Sequence, residues 1–352
     1  MKTSLDFGSA YRLERVAMRG VVTVLPRHEI DNQGFVERFG ADSVHDVVKM
    51  IGVQTRYCVE DGVTTSDLCF QAAQTLLGRL GWDKTSVDAL IFVSQTPDYR
   101  LPATACALQG RLELGNTCAA FDVNLGCSGY TYGLWLASTL VQGGARRVLL
   151  LAGDTISKTV DPSDRATAML FGDAGTATAL EYDEAAAPAH FVVGTDGKGA
   201  RNLIIPQGGA RAPDRQDARL EGRDLGCLYM DGGEIFNFTL KSVPGLVANT
   251  LEFAGHTVDS VDGFLYHQAN EFMLKHLARK SKIPPEKFHV NIGKYGNTSS
   301  ASIPLLLTTS LQERLKTPTT LLMAGFGVGY SWGSALLKIE SLVCNETEFY
   351  DI

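Results

Sequence analysis

At 352 residues the chain is long enough for two ordinary domains or one large double one, and its 45% hydrophobic and 20% charged residues are those of a globular protein. A formal net charge of −7 gives no general affinity for nucleic acid or an anionic membrane surface, and no apolar run approaches the roughly 18 residues of a membrane span. Seven cysteines without a CxxC pair, and seven dispersed histidines without HExxH spacing, point to neither a disulfide framework nor a zinc site, so no metal is expected. Met1 to Arg15 holds no apolar core of signal-peptide length, which makes a cytoplasmic protein the expectation.

In chain order, Arg15 to Leu25 reads as a strand, followed by two short helical segments at Asn32 to Phe39 and Ser43 to Ile51. From Thr65 to Leu80 the spacing of Leu68, Ala72, Leu76, Leu77 and Leu80 predicts a core-facing helix, opened by Thr64 or Thr65 and closed by Gly81. Val87 to Val93 is a buried strand, Ala103 to Leu112 a helix, Cys118 to Val123 a strand, and Arg147 to Ala152 another strand. Strands and helices alternate, so the class is α/β with a largely parallel sheet.

Between the last two strands, Gly126-Cys127-Ser128-Gly129 leads into an apolar helix carrying Tyr132, Leu134, Trp135, Leu136 and Leu140. Two readings of Cys127 are open on this turn alone. It is a small buried filler, or a cysteine in the first turn of a helix, where the dipole and free N–H groups favour a nucleophilic thiolate.

The second half repeats the first. Val87-Asp88-Ala89 resembles Val261-Asp262-Gly263, Phe121-Asp122-Val123-Asn124 resembles Phe288-His289-Val290-Asn291, and Arg147 to Ala152 resembles Thr319 to Ala324, with offsets of 167 to 174 residues. Two halves about a pseudo-twofold axis are expected, residues 1–185 carrying the cysteine and 186–352 carrying a histidine and an asparagine. Under the repeat Cys127 falls opposite Asn297, and His267 ends a strand. Alone, His267 reads as a satisfied core histidine and Asn297 as a helix cap; placed together at the carboxyl ends of strands, the three form a candidate site.

Gly126-Cys127-Ser-Gly-Tyr, Asp161-Pro-Ser-Asp-Arg165, Phe171-Gly-Asp173, His267-Gln-Ala-Asn270, Gly296-Asn297-Thr-Ser-Ser-Ala-Ser-Ile-Pro304 and Gly325 to Ala335 together resemble β-ketoacyl-acyl-carrier-protein synthase III, a thiolase-fold condensing enzyme, over nearly the whole chain. The resemblance implies a thiolase-like duplicated αβαβα five-layer sandwich and a homodimer. It also implies an acyltransferase that takes acyl-coenzyme A or acyl-carrier-protein thioesters and a malonyl carrier protein as substrates, with no separate cofactor. It casts Cys127 as the acyl-accepting nucleophile, His267 and Asn297 as donors to the enolate oxygen, and the backbone N–H groups of Cys127 and Val328 as the oxyanion hole. Arg165, Leu101, Phe171, Asn270 and Phe272 are the substrate-binding positions it carries over.

The sequence departs from the family pattern at several of these. Val328 stands where a glycine is usual, Asp46 where a tryptophan stacks on adenine, Met50-Ile51 where Arg-Thr precedes the glycine, and Phe272 where an arginine docks the carrier. Lys275, Arg279 and Lys280 form a basic face for a carrier or an ordinary solvated face. Leu101 matches the residue that bounds the partner's acyl pocket, and leucine implies a roomier one. The Arg- and Asp-rich stretch Ala210 to Gly226 reads as an exposed loop at the entrance. Three rival functions stand beside the condensing reading: acyl transfer to a non-malonyl acceptor, a non-catalytic partner subunit, and a papain-like protease, which shares the Cys, His, Asn order but not the flanking Cys-Gly-Ser-Cys-Trp pattern.

Overall fold

A computed structural model gives the fold and describes residues 2–351. The strands of the first half are β1 (Lys2–Leu5), β2 (Gly8–Leu13), β3 (Val16–Leu25), β4 (His28–Asp31), β5 (Thr55–Cys58), β6 (Ala89–Val93), β7 (Ala119–Val123), β8 (Arg147–Asp154) and β9 (Ala174–Tyr182). Those of the second are β10 (Ala189–Thr195), β11 (Leu203–Ile204), β12 (Tyr229–Met230), β13 (Gly263–Tyr266), β14 (Phe288–His289), β15 (Thr319–Gly327), β16 (Ser331–Ile339) and β17 (Cys344–Phe349). Interleaved are helices α1 (Val36–Phe39), α2 (Ala41–Ile51), α3 (Thr65–Leu80), α4 (Thr104–Arg111), α5 (Gly129–Gln142), α6 (Gly232–Ala254), α7 (Glu271–Lys280), α8 (Ile292–Tyr295) and α9 (Ser302–Thr309). Helix α3 has the bounds the sequence predicts, because a Thr64–Asp67 capping box starts it and left-handed Gly81 stops it.

The duplication is visible in the sheets. One runs β17-β3-β9-β8-β6-β7 and the other β1-β2-β10-β16-β15-β13-β14. Their common five strands have the same order and the same directions, with two parallel pairs beside two antiparallel ones. Register corrects two of the sequence matches by one residue. With Ala89 set against Gly263, strand pairing makes Val148 the counterpart of Leu321, and Phe121 that of His289. Strand residues alternate faces, so only this register buries equivalent side chains in equivalent layers.

That alternation builds five layers. Ile91, Val93, Val148 and Leu150 of one sheet, and Leu321, Met323, Ala335 and Leu337 of the other, face inward onto α5 (Tyr130, Leu134, Ala137) and α9 (Ile303, Leu306, Leu307). Leu90, Phe92, Leu149 and Leu151 face outward onto α3 and α4, while Phe264, Tyr266 and Leu322 face outward onto α6 and α7. The result is a duplicated αβαβα sandwich. The chain ends cross over: β1 and β2 extend the C-terminal sheet and β17 the N-terminal one, so residues 2–13 and 344–349 lie across the 185/186 division expected from sequence. Among the described residues no helix is long and apolar enough to cross a membrane.

Candidate active site

Cys127 stands in the turn between β7 and α5. The Gly129 N–H donates to the Gly126 carbonyl at 2.6 Å, and the first helical residue is Gly129, with Ser128 at the cap. The sulfur therefore lies just before the helix rather than in its first turn. From the other half, the β15–β16 hairpin folds over it. A Cβ placed on Gly327 would sit 2.6 Å from Cys127 Cβ and 2.9 Å from Sγ, so only glycine allows this approach. The backbone N–H groups of Val328 and of Cys127 itself lie close enough to the sulfur to favour its charged form. The hairpin turn is pinned to the cysteine loop because Ser128 Oγ lies 2.6 Å from Ser331 Oγ, which donates to the Val328 carbonyl at 2.7 Å. Val328 thus keeps a backbone donor despite its β-branched side chain.

Enclosure pushes the Cys127 thiol up to about 12, the negative charge of Asp154 adds to that, and the two N–H groups and the Ser299 hydroxyl only partly offset it. The resting sulfur is a thiol at neutral pH. This reverses the expectation of a thiolate favoured by the helix terminus, because the hairpin that supplies the N–H donors also excludes water.

His267 follows β13, its N–H donating to the Ala324 carbonyl at 2.8 Å. Its ring is buried, with Nδ1 2.8 Å from Ser302 Oγ and the Phe326 ring edge-on at 5.7 Å. Burial drives the imidazole down to about 3, opposed only by the Ser299 carbonyl, so it is neutral in the physiological range. The sign of the resulting linkage follows directly. Between about pH 6.5 and 3 the unfolded chain binds a proton here that the native chain refuses, so stability from this site is complete above 6.5 and is lost as pH falls. The decline in Tm from pH 6.5 to 4 is expected to be shallower in His267→Gln than in wild type; equal slopes in scanning calorimetry would contradict a buried neutral imidazole.

Asn297 is fixed by backbone bonds on both sides. Its N–H donates to Leu170 at 2.9 Å, its carbonyl accepts from Gly172 at 3.1 Å, and it bridges to Phe171. Gly296 turns the chain at φ +68°, where a Cβ would meet the Leu170 carbonyl at 2.7 Å. The side-chain Oδ1 accepts the Ser299 N–H at 3.0 Å, and Nδ2 makes only a long bond of 3.4 Å to the Ala269 carbonyl. Asn297 therefore caps a turn, as its residue type suggests, and keeps an amide donor for another partner.

The residue joining all three is Ser299, to which the sequence reading gave no role. Its hydroxyl reaches the Cys127 sulfur, its N–H serves Asn297 and its carbonyl faces His267. It holds φ +50°, unusual for a serine. No residue pattern announces a left-handed serine, so only its place two residues after Asn297 could have drawn notice.

The remaining expected contacts are not gathered at this point. Arg165 is exposed and donates to Ser43 Oγ at 2.8 Å. Leu101 is 83% exposed beside Tyr99 on a projecting loop. Phe272 is 47% exposed on α7, against the rings of His276 and Phe236. Asn270 caps α7, its side chain accepting the Met273 N–H at 2.7 Å. Phe171 alone lies against the triad, and it does so through the backbone bridge to Asn297. The loop Ala210 to Gly226 is mostly exposed, as expected, and tied down by Arg223–Asp164 and Arg201–Asp214 ion pairs.

Comparison with known proteins identifies the family. A family model described as 3-Oxoacyl-[acyl-carrier-protein (ACP)] synthase III matches residues 121–197, and one described as the C terminal of that synthase matches residues 251–339. The chain is 34% identical over 349 residues to the β-ketoacyl-[acyl-carrier-protein] synthase III of Rhodopirellula baltica, covering 93% of this chain and 99% of that one. A 3-oxoacyl-(acyl-carrier protein) synthase from Burkholderia xenovorans LB400 superimposes with a TM-score of 0.96 at 56% identity, over 98% of this chain and 100% of that one. The 3-oxoacyl-(acyl carrier protein) synthase III of Pseudomonas aeruginosa PAO1 does so with a TM-score of 0.82 at 29% identity, over 94% and 99%. With this fold, a cysteine under a backbone-donor hairpin and likeness along the whole length, the chain belongs to the β-ketoacyl-[acyl-carrier-protein] synthase III family and is a condensing acyltransferase of the thiolase fold.

Proposed function

We propose that the Cys127 pocket runs a decarboxylative Claisen condensation in two half-reactions. In the first, Cys127 takes an acyl group from a coenzyme A or carrier-protein thioester, and the N–H groups of Cys127 and Val328 hold the tetrahedral oxyanion. In the second, a malonyl group on a carrier protein loses carbon dioxide. Its enolate oxygen is held by His267 and Asn297, and its carbon attacks the acyl group on sulfur. The observation that carries this reading is the convergence on Ser299, whose hydroxyl, N–H and carbonyl engage the thiol, the carboxamide and the imidazole respectively. Exposed Leu101 fits a homodimer in which this loop meets the partner's acyl pocket. Exposed Arg165, and Phe272 beside the basic residues of α7, fit an entrance that receives a carrier-borne arm. Asn270 and Phe171 serve the substrate indirectly, by fixing the segments that follow His267 and precede Asn297.

The test is intact-protein mass spectrometry after exposure to a panel of acyl-coenzyme A and acyl-carrier thioesters, followed by malonyl carrier protein. A single acyl adduct mapping to Cys127, discharged with release of carbon dioxide, is expected. An adduct discharged onto an alcohol or amine without carbon dioxide would reassign the acceptor, and an adduct on another residue would overturn the proposal.

A further inference from the structure

One guanidinium in the N-terminal half is buried without a bonded counter-ion. Arg56 of β5 is 3% exposed. Its Nη2 donates to the Ala168 carbonyl at 2.6 Å and its Nη1 to the Cys58 sulfur at 3.6 Å, while Nε has no partner among the described residues. Cys58 does not neutralise the charge, because burial pushes its thiol up to about 12 and leaves it protonated. Asp173, whose charge reaches Arg56, is engaged elsewhere. Its oxygens accept the Val59 N–H at 2.9 Å, the Ser157 N–H at 3.0 Å and the Ser157 hydroxyl. The Phe35 ring, 5.3 Å from the guanidinium carbon, offsets only part of the cost of burial. A guanidinium keeps its proton in a protein, so the remaining cost persists until an anion meets it.

Room for an anion adjoins this charge. Arg56, Cys58 and Ser157 share the wall of a cavity of about 150 Å³ with Val160, Pro162 and Thr167. Thr167 is fully buried, and its hydroxyl has no partner among the described residues. Two distant chain segments thus each bring an unpartnered donor to the same cavity. Its size is below the roughly 300–1,000 Å³ of sites for drug-sized ligands, which points to an occupant of a few heavy atoms. Charge at the mouth has the same sign as charge inside. Pro162 is exposed there, and its carbonyl accepts from Arg38 Nη1 at 2.7 Å, which sets a second guanidinium at the rim. The neighbouring Asp161 carboxylate accepts instead from the Ser163 N–H at 2.8 Å and Ser163 Oγ at 2.6 Å.

We propose that this cavity is a binding site for one small oxyanion, of the phosphate or carboxylate class, held by Arg56 and the Thr167 hydroxyl. It is distinct from the Cys127 pocket but backs onto it. Phe171, which lines the cavity, is also the residue bridged to Asn297. Arg56 Cβ would stand 3.3 Å from a Cβ on Gly296 and 3.4 Å from one on Gly172, so Arg56 packs on both strands that hold the Asn297 backbone. An anion that fixes Arg56 therefore steadies the segment on which Asn297 rests.

Thermal unfolding in inorganic phosphate, in formate and in chloride at matched ionic strength tests the site. Phosphate also stabilises proteins generally by exclusion from their surface, so the decisive quantity is the excess over chloride that variants lose. In wild type, raising phosphate or formate from about 1 to about 50 mM is expected to lift Tm by about 2–4 °C beyond chloride. The larger of the two excesses tells a tetrahedral from a planar occupant. Thr167→Val, which removes the hydroxyl and keeps the side-chain shape, should lose most of the excess. Arg56→Met should lose all of it, and so should Val160→Phe, which fills the cavity and leaves both donors in place. Arg165→Ala, at an exposed cation outside the cavity, should keep it. Selenate soaked into wild-type crystals should give an anomalous peak between Arg56 and Thr167. No excess over chloride in wild type, or an excess that survives in both Thr167→Val and Val160→Phe, overturns the site. Those two variants decide alone if Arg56→Met does not fold. Since the readout is Tm rather than turnover, its failure is separate from any failure of the condensing reaction.

Discussion

Alanine at His267 or at Asn297 should leave the enzyme able to load an acyl group and nearly unable to use it. Each residue is expected to contribute about 10²–10³-fold to carbon–carbon bond formation, the usual worth of one aimed donor at a developing oxyanion. The geometry separates the two jobs. In the proposed reaction the loading oxyanion is held by the backbone N–H groups of Cys127 and Val328, which lie against the sulfur and do not depend on the His267 or Asn297 side chain. The condensing oxyanion needs donors that arrive with the second substrate's oxygen, and the loosely held Asn297 amide is one. A neutral His267 is the second in the tautomer in which Nδ1, 2.8 Å from Ser302 Oγ, accepts and the other ring nitrogen carries the proton. Intact mass should therefore find the Cys127 adduct in both variants at near wild-type rate, while carbon dioxide release from labelled malonyl carrier protein collapses. Cys127→Ala should lose both signals. Normal condensation by a verified His267→Ala protein would remove the imidazole from the chemistry.

Much of this site could be read before any coordinates, and the reason is local. Strand endings, glycine-rich turns and 3.6-residue periodicity are short-range signals, so the turns bearing Cys127 and Asn297 and the strand end bearing His267 were each legible alone. Duplication then placed them opposite one another. What stayed hidden depends on contacts between distant segments. The acidity of Cys127 is set by Gly327 and Val328, some two hundred positions away, and by Asp154 underneath, so a rule about helix termini pointed the wrong way.

Register was missed for a related reason. A run such as Leu149-Leu150-Leu151 is apolar on both faces because both faces are covered, so sequence alone does not say which residue faces α5. The exchange of terminal strands was equally silent. β1 and β2 are short, partly exposed strands at one end of their sheet, and nothing in them names the sheet they join. Leu101, Arg165 and Phe272 were carried over by motif position, and a motif fixes a place in the chain without fixing what stands beside it.

Gly327→Ala, one added methyl group, is expected to cost more than Val328→Gly beside it. Gly327 is held in the ladder opposite Ser331, and its absent side chain faces the nucleophile. The new methyl would overlap both Cys127 Cβ and Sγ, so either the hairpin lifts or the cysteine turn retreats. Both responses part the sulfur from the Val328 N–H, which is the loss of one oxyanion donor and about 10²-fold or more in acylation rate. Stability should fall by only about 1–3 kcal/mol, the common penalty for overpacking by a methyl. The variant should then be folded and alkylated slowly, with an acyl donor affinity close to wild type. Val328→Gly is the control: it keeps the N–H, frees the turn, and should change the acylation rate by less than about tenfold, because only packing of a half-buried side chain is lost. If Gly327→Ala acylates at the wild-type rate, the hairpin is not the wall of the nucleophile pocket. If Val328→Gly is the more damaged of the two, the valine side chain rather than its backbone is what the reaction uses.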